Sequence, residues 1–264
     1  MGAKDILIKP IDAKSANAIC KKYHYSGKVV PNSQIHLGVF YHGVCEGVMQ
    51  LGPSMDKCRM AANLKIGINE FLELNRMAFS DILPKNSESR AISIAIRIIK
   101  KKYPFIRVII SFADACQCGD GVIYRAAGFK LHSFKKNTSL LSLSLSATEA
   151  VRKYIPSAGG VIARKSLDDH QDSSGRYLSS VARELGSKPL PGFQMKYLYC
   201  IDKKLENKYK WIPFSKIPDE VKMYKGIKRI EHESNAAISQ MAEGGAIPTD
   251  ALHNTQYDSP PRCL

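Results

Sequence analysis

The sequence lacks any uncharged apolar run near the roughly 18 residues that a membrane-spanning helix needs. Its first residues, MGAKDILIKP, contain no apolar core of the kind found in secretory signals. The seven cysteines are odd in number and irregularly spaced, and Cys116 and Cys118 have no second pair at zinc-binding spacing. We therefore expect a soluble protein of a reducing compartment, the cytoplasm, without a membrane partner or a structural zinc.

Acidic residues are scarce beside basic ones. There are 39 Lys+Arg against 24 Asp+Glu, which gives a formal net charge of +15. Residues 233–264 contain four acidic residues against Arg262 alone, a net charge of −3, so residues 1–232 carry +18. A folded region this basic attracts polyanions, and nucleic acid is the first candidate partner. A basic surface that is merely solvated is the alternative.

The length of 264 residues suits one globular domain with appendages. We predict a folded domain over residues 1–232, in which the weakly patterned region at about 139–190 is a variable insertion. Residues 233–264 have few aromatic residues and no hydrophobic periodicity, which predicts a disordered tail.

Hydrophobic periodicity predicts the elements of the amino-terminal part. We expect a first strand over residues 4–9 and a helix over residues 13–23, with Asp12 as its N-cap. Two strands, 35–41 and 44–51, are separated by His42 and Gly43, which is a short hairpin signal. Later in the chain, the alternation in SLLSLSLSA over residues 139–147 also predicts a strand.

A strand–helix–strand unit lies at the centre of the chain. Residues 71–79 predict a strand, an apolar helix capped by Asn86 or Ser87 runs to Lys102, and the apolar run 106–112 predicts a buried parallel strand. The turn CQCGDG follows, and Asp120 is expected to cap a short helix over residues 121–127.

Four polar residues, Arg76, Ser89, Asp114 and Tyr124, fall at or near the carboxyl ends of these strands, where ligands of α/β proteins bind. Simple alternation places Arg76 in the same row as apolar side chains, a costly position unless it is paired or faces a cleft. Arg76 could instead be a structural partner of a carboxylate, with Glu73, Asp81 and Asp114 as candidates. Asp114 could likewise cap a helix or pair with an arginine.

The start of the apolar helix has the chemistry of an anion site. Ser87, Ser89 and Arg90 lie in its first turn, and Lys85 precedes it. Hydroxyls, backbone N–H groups and the helix dipole favour negative charge there. We predict that these residues bind a phosphate, either of a cofactor or of DNA or RNA.

Three rings, Tyr23, His24 and Tyr25, follow the first helix. They could stack on a nucleobase, and His24 could serve as a base or a metal ligand. The alternative is a helix end whose aromatic side chains pack on the core.

Several long segments together resemble one protein family. FLELNRMAF and SFADACQCGDGVIYRAAGF are similar to the GNAT acetyltransferase superfamily. With KKYHYSGKVVPNSQIHLGVF and NSESRA they resemble more closely the bacteriophage Mom family. The resemblance covers residues 4–135 well, continues weakly through PLPGFQMKYLYCID and MYKG, and leaves 139–188 unaligned. It implies an α/β (α+β) fold: a mixed, mostly antiparallel twisted sheet with a central parallel strand pair, flanked by helices.

The resemblance also implies a function. Mom proteins convert adenine in phage DNA to N6-carbamoylmethyladenine, which protects it from host restriction. Carried over, Asp114, Tyr124, Arg76 and Ser89 form the catalytic set, Ser87, Ser89 and Arg90 bind the donor, and Tyr23, His24 and Tyr25 contact double-stranded DNA. The implied location is the cytoplasm of a bacterial host.

The donor is open between acetyl-CoA and an aminoacyl-tRNA such as glycyl-tRNA, which would make tRNA a second partner. A GNAT enzyme holds pyrophosphate with a glycine-containing loop, whereas residues 86–91 here, NSESRA, contain no glycine, which counts against acetyl-CoA. A metal ion such as iron is a further implied cofactor without an assignable ligand set. Two other classes fit the same residues: an ordinary N-acetyltransferase acting on a protein or small amine, and a non-catalytic DNA-binding protein.

Overall fold

The structure is a computed structural model that describes residues 2–116 and 119–216. The chain divides into two compact units. Within the described residues, 2–133 and 195–216 form the first unit and 134–194 form the second. The expected tail, residues 233–264, and the MYKG segment lie outside the described residues, and the assignment of 139–190 as an insertion stays a prediction.

The elements follow each other in regular order along the chain. The strands are β1 (Leu7–Pro10), β2 (Ile35–Tyr41), β3 (Val44–Gly52), β4 (Phe71–Phe79), β5 (Val108–Asp114), β6 (Lys130–Lys136), β7 (Leu140–Ser142), β8 (Val161–Ala163), β9 (Lys188–Pro189) and β10 (Phe193–Cys200). The helices are α1 (Ala13–Tyr23), α2 (Lys57–Leu64), α3 (Ser87–Lys102), α4 (Val122–Ala126), α5 (Leu145–Arg152), α6 (Arg164–Asp168) and α7 (Leu178–Glu184), with 3₁₀ turns at Ala3–Asp5, Lys203–Lys208 and Phe214–Lys216.

The main sheet has seven strands in the order β1-β2-β3-β4-β5-β10-β6. Strands β1 to β4 pair antiparallel with their neighbours, whereas β4 and β5 are parallel. Parallel neighbours need a crossover connection, and α3 supplies it. The predicted mixed sheet with a central parallel pair and flanking helices is therefore confirmed.

Local chemistry explains the amino-terminal elements. The Asp12 carboxylate accepts from the Ser15 backbone N–H at 2.9 Å and caps α1 as predicted. The β2–β3 hairpin is also confirmed, because both of its turn residues have positive φ, 49° at His42 and 82° at Gly43. Two such residues in a row give the turn whose twist matches that of the paired strands.

The apolar layers of the first unit lie on opposite faces of the sheet. Ile92, Ala95 and Ile99 of α3 line a small cavity together with Leu51 and Leu74. The other face packs against α1 and α2, with Ala16 and Cys20 of α1 beside Val48 and Ala78, and Ala61 and Leu64 of α2 beside Phe71, Val108 and Ile110.

The second unit has its own small core. Its three short strands are ordered β8-β7-β9, and the central strand β7 pairs antiparallel with both neighbours. Buried side chains from its strands and helices fill the interior: Leu141, Leu143, Ala147, Val151, Ala158, Leu167, Leu178 and Ala182.

Three local predictions were wrong. Residues 3–5 form a 3₁₀ turn and β1 starts only at Leu7. The predicted strand 139–147 shrinks to Leu140–Ser142, because Ser144 accepts from the Ala147 N–H and starts α5. Asp120 does not cap α4, since its carboxylate pairs with Arg125 at 3.2 Å and the cap position belongs to Gly121.

Gly121 provides a test of the packing that holds α4. Its φ is +80°, and a Cβ at this position would overlap the ring of Tyr197. Gly128 has a similar φ of +87°, but its Cβ would lie 3.5 Å from Tyr199, an ordinary contact. We expect Gly121→Ala to lower the unfolding free energy by about 2 kcal/mol more than Gly128→Ala, because only the former adds overpacking to backbone strain. Urea denaturation of both variants measures the difference, and equal losses would contradict it.

Candidate active site

A cleft opens where the parallel strands β4 and β5 part. Their register joins Phe71 to Val108, Leu72 to Ile109 and Glu73 to Ile110, and in the described strands it ends there. Strand β4 nevertheless continues to Phe79 and β5 to Asp114. Arg76 and Asp114 therefore both lie beyond the last paired residues, on the diverging carboxyl ends of the two strands.

A β-bulge in β4 determines where Arg76 points. Opposite β3, Gln50 pairs with Arg76 while the next residue, Leu51, pairs with Leu74, so Asn75 is an extra residue. The prediction that Arg76 shares a row with Leu72 and Leu74 is therefore wrong. The bulge reverses the alternation, and Arg76 turns away from α3.

Glu73, Arg76 and Asp114 share the face opposite α3. Their β3 partners Gly52 and Gln50 alternate regularly, which places Glu73 and Arg76 on one side. Asp114 lies four residues after Ile110, which packs in the same cluster as Phe71. Since side chains alternate with a period of two, Asp114 joins the other two on this face. We call these three residues the reactive face.

Arg76 is held by backbone oxygens and lies near His24. Its Nε donates to the Lys28 carbonyl at 3.1 Å and its Nη1 to the Asn75 carbonyl at 2.8 Å. Burial, and secondarily the positive charge of Arg76, lower the pKa of His24 to about 4. The imidazole is therefore neutral at physiological pH, with Nδ1 2.8 Å from the Ser26 hydroxyl.

The aromatic trio is split between core and surface. Tyr23 packs beside the α1 cluster and lies under the Lys22 ammonium, which fits the packing alternative for this ring. Tyr25 is 39% exposed and stacks on His24, with 4.3 Å between ring centroids. Of the two tyrosines, Tyr25 is the one placed to meet a ligand.

Asp114 ends β5 in partly buried surroundings. Its Oδ1 accepts from the Cys116 backbone N–H at 3.1 Å. Burial raises the pKa of this carboxyl, and the bonds to Cys116 oppose that rise. A carboxylate destabilised by burial is a better proton acceptor than an exposed one.

Glu73 is a site residue that the sequence suggested only as a charge partner for Arg76. The Ser54 hydroxyl donates to its Oε2 at 2.5 Å. Burial raises the pKa of Glu73, and Ser54, Asn75 and Arg76 act in the opposite direction. The signal available in the sequence was a lone carboxylate inside the apolar segment FLELN.

Tyr124 belongs to an aromatic layer on α4. Its buried ring lies 5.8 Å from the Phe129 ring and 5.7 Å from the Tyr197 ring. The Tyr197 hydroxyl donates to the Asp120 carbonyl and Arg125 donates to the Tyr197 hydroxyl at 2.9 Å, which anchors this layer.

A basic groove of about 670 Å³ lies at the start of α3. Its charged lining has four basic residues against one acid, Asp5, and its charged and polar lining comprises Lys4, Asp5, Lys85, Asn86, Ser89, Arg90, Ser93 and Arg97. The Arg90 Nη2 donates to the Lys4 carbonyl at 3.4 Å, and within the described residues its buried Nε has no hydrogen-bond partner. Ser89 faces the groove, whereas Ser87 is fully buried and donates to the Pro84 carbonyl at 2.6 Å.

The described residues contain neither a metal-binding cluster nor a membrane-spanning helix. Within 2–116 and 119–216, there is no cluster of three or more His, Cys, Asp or Glu side chains that could hold a metal ion. Nor is any helix in those ranges long and apolar enough to span a membrane.

The chain is similar to a known protein in sequence and, more weakly, to solved structures. A protein of Escherichia phage Mu named methylcarbamoylase mom is 39% identical over 130 residues, which are 48% of this chain and 54% of that protein. The chain thus spans about half the length of the curated relative it matches.

Solved structures resemble it more weakly. A GNAT family acetyltransferase from Elizabethkingia anophelis with acetyl-CoA bound has a TM-score of 0.39 and 12% identity over 75% of this chain and 99% of that one. A polyamine N-acetyltransferase from Drosophila melanogaster has a TM-score of 0.40 and 9% identity, covering 75% and 100%. Likeness at this level supports no inference about ligand or activity.

The match to a family model covers more of the chain than the match to the Mu protein. The model of the Mom protein family matches residues 5–218, which include the reactive face, the aromatic trio, the α3 side of the basic groove and the second unit. The protein therefore belongs to the Mom protein family.

Proposed function

We propose that this protein is a transferase that modifies the N6 amine of adenine in phage or prophage DNA, giving N6-carbamoylmethyladenine. The observation that carries the proposal is its similarity over 130 residues to the Mu protein named methylcarbamoylase. The reactive face and the basic groove supply the two things such a reaction needs, a site for proton transfer and a site for an anionic donor.

The N6 amine is a poor nucleophile, because its lone pair is delocalised into the ring. The reaction therefore needs catalytic groups, and the reactive face provides candidates. Asp114 accepts a proton from this amine or orients it as it attacks. Arg76 stabilises developing negative charge or anchors a phosphate. Tyr124 donates a proton to the leaving group, and Ser89 positions the donor at the start of α3.

The target base has to leave the duplex, because its Watson–Crick edge is hidden by pairing. Enzymes that react with a base flip it into a pocket and stack it on aromatic side chains. Tyr25, exposed and stacked on His24, is the ring best placed for this contact. Tyr23 and His24 support it from the core side. The net charge of +15 favours binding of the DNA backbone.

The donor binds through phosphate in the basic groove, where Lys85, Ser89 and Arg90 lie beside the first backbone N–H groups of α3. Both acetyl-CoA and glycyl-tRNA offer phosphates. A glycyl group contains the two carbons and the nitrogen of a carbamoylmethyl group, whereas an acetyl group contains only the carbons and would need a separate nitrogen donor. Attack of N6 on the glycyl ester carbonyl releases the tRNA hydroxyl and gives N6-glycyladenine, so the carbamoylmethyl isomer requires a later rearrangement in which N6 and the glycyl nitrogen exchange carbons. Buried Ser87 supports the helix start, and iron remains a candidate cofactor without assigned ligands.

The first test is replacement of Asp114. We expect Asp114→Asn to lower adenine modification at least about a hundredfold, because the amide cannot accept a proton, while DNA binding is kept. Nucleosides from plasmid DNA of expressing bacteria are measured by mass spectrometry, with fragment ions to separate N6-glycyl from the isomeric N6-carbamoylmethyl adduct. The exposed Asp169→Asn is the matched control. Full modification by Asp114→Asn would remove Asp114 from the mechanism.

The second test concerns the groove. We expect the double variant Lys85→Ala, Arg90→Ala to bind its phosphate-bearing donor at least about tenfold more weakly, since charge-assisted hydrogen bonds are lost. Coenzyme A and glycyl-tRNA are titrated separately against wild type and variant. Lys101→Ala, Lys102→Ala, at the far end of the same helix, is the control. A wild type that binds neither probe, or a variant that binds both normally, refutes this donor site.

The third test uses His24 as a sensor of Arg76. Replacing Arg76 by Gln removes a positive charge, so we expect the pKa of His24 to rise from about 4 yet stay below 6.5, because burial is the larger cause. The pKa of His36, which is lowered by burial and raised by Asp12, should not move. NMR titration of both imidazoles measures this. An unchanged His24 would mean that the two groups are not coupled.

The same shift makes stability depend on pH. Because the folded pKa of His24 lies below that of the unfolded chain, its contribution is fully present above about 6.5 and is lost as pH falls through about 4. The loss should be smaller in Arg76→Gln, and acid titration of the unfolding free energy provides a second readout.

A further inference from the structure

The second unit, residues 134–194, contains neither the reactive face nor the basic groove. Its elements follow the order β7-α5-β8-α6-α7-β9. Strand β7 is central in its sheet, with β8 and β9 antiparallel on either side. Helix α7 packs against both α5 and α6, and all three helices share one apolar core with β7. The unit therefore has an architecture of its own, and the proposed reaction gives it no role.

The order of these elements is that of a circularly permuted winged helix–turn–helix. In that DNA-binding fold, a helix and a strand are followed by two helices and a two-stranded hairpin, the wing, and the last strand lies between the other two. Here α5, β8, α6, α7 and β9 come in this order, and β7, which precedes them in the chain, takes the place of the last strand. The chain enters and leaves where the wing would close, since the Leu190 N–H donates to the Leu140 carbonyl at 2.9 Å.

Helices α6 and α7 correspond to the helix–turn–helix itself. Ser179, buried in the first turn of α7, donates a hydrogen bond to the Asp168 carboxylate at the end of α6. The connection is a tight turn at Asp172, whose Oδ1 accepts from the Ser174 and Arg176 N–H groups, both at 2.9 Å. In such a motif the second helix lies in the major groove of DNA, and its outward side chains reach the base edges. A fold has this function only through the groups that it presents.

The outward side of α7 is polar and accessible. The buried positions of the helix face the rest of the unit: Leu178, Ser179 and Ala182. The other side carries Ser180, Arg183 and Glu184, and Tyr177, 52% exposed, directly precedes the helix. Glu184 pairs with Arg176 at 3.0 Å, whereas Arg183 makes no ion pair within residues 2–116 and 119–216. Arginine and serine are side chains that hydrogen-bond to base edges in the major groove.

The charge of the unit also suits DNA. It contains nine Lys and Arg against five Asp and Glu, a net charge of +4, and all nine basic residues are exposed. Lys165 in α6 and Lys188 on β9 occupy the elements that flank the recognition helix in this fold, where basic side chains contact phosphates. Three of the five acids already pair with arginines of the same unit: Asp168, Asp172 and Glu184.

We propose that the second unit binds duplex DNA and reads its sequence through α7. Tyr177 and Arg183 contact base edges in the major groove, and Lys165 and Lys188 contact the phosphate backbone beside it. The proposal rests on the proposed function for the identity of the target, since the bases that are read determine which adenines are modified. Binding of the duplex by this surface does not itself require the reaction.

Sequence reading is tested without the reaction. Full-length wild type is mixed with a library of randomised DNA duplexes, and the bound duplexes are sequenced. We expect wild type to enrich particular bases at neighbouring positions, and Tyr177→Ala, Arg183→Ala to enrich them at least about fivefold less, because lost base contacts reduce discrimination. Lys153→Ala, at the end of α5, is the control and should keep the enrichment. A wild type without enrichment, or a double variant with the wild-type enrichment, overturns the proposal.

The phosphate contacts have a different signature. Lys165→Ala, Lys188→Ala should weaken binding of all duplexes alike, and the slope of log affinity against log salt should fall by about two, while the enriched sequence stays the same. Arg152→Ala, Lys153→Ala removes the same charge from α5 and should leave the slope unchanged. Thermal unfolding shows that each variant is folded. An unchanged slope in Lys165→Ala, Lys188→Ala would place the DNA on another surface and refute the assignment.

The two proposals fail in different ways. If wild type enriches a sequence through Tyr177 and Arg183 but the DNA of expressing cells carries no adenine adduct, the proposed reaction is wrong and the reading unit stands. If the adduct is present and lies at the same mapped sites in wild type and in Tyr177→Ala, Arg183→Ala, the reaction stands and the second unit does not select its target.

Discussion

The extra residue at Asn75 is the constraint on which the site depends. Without it, β4 would alternate regularly and Arg76 would point into the apolar layer beneath α3, where a guanidinium is costly. With it, Arg76 joins Glu73 and Asp114 on the opposite face. A bulge weakens the strand pairing locally, and here that weakness coincides with the point where β4 and β5 separate.

The cleft and the basic groove are parts of one continuous piece of chain. After Arg76, β4 runs to Phe79, and a short loop leads directly to the start of α3. The groups proposed to orient an acceptor and those proposed to bind an anion thus have few residues between them along the chain. Proximity of this kind limits how far the two sites can move apart, and holding two reactants in a fixed geometry lowers the barrier to their reaction.

Periodicity and capping residues were sufficient to predict most of the sheet, α1 and α3, because apolar spacing and Asp12 act locally. The direction of Arg76 was not predictable, since the bulge depends on the register with β3 and not on the β4 sequence alone. Glu73 was missed for a related reason: its importance comes from Ser54, a loop residue nineteen positions away. The prediction that Asp120 caps α4 failed because Arg125, five residues later, pairs with its carboxylate.

Asn86 makes the stability of the fold sensitive to what binds at the start of α3. It has a φ of +70°, which is unfavourable for a residue with a side chain, and that side chain does not cap the helix it precedes. Stability is therefore given up at the turn where an anion would bind. Since a ligand that binds only the folded state raises its stability by mass action, a donor bound at this turn, as proposed, would lengthen the lifetime of the protein in a cell.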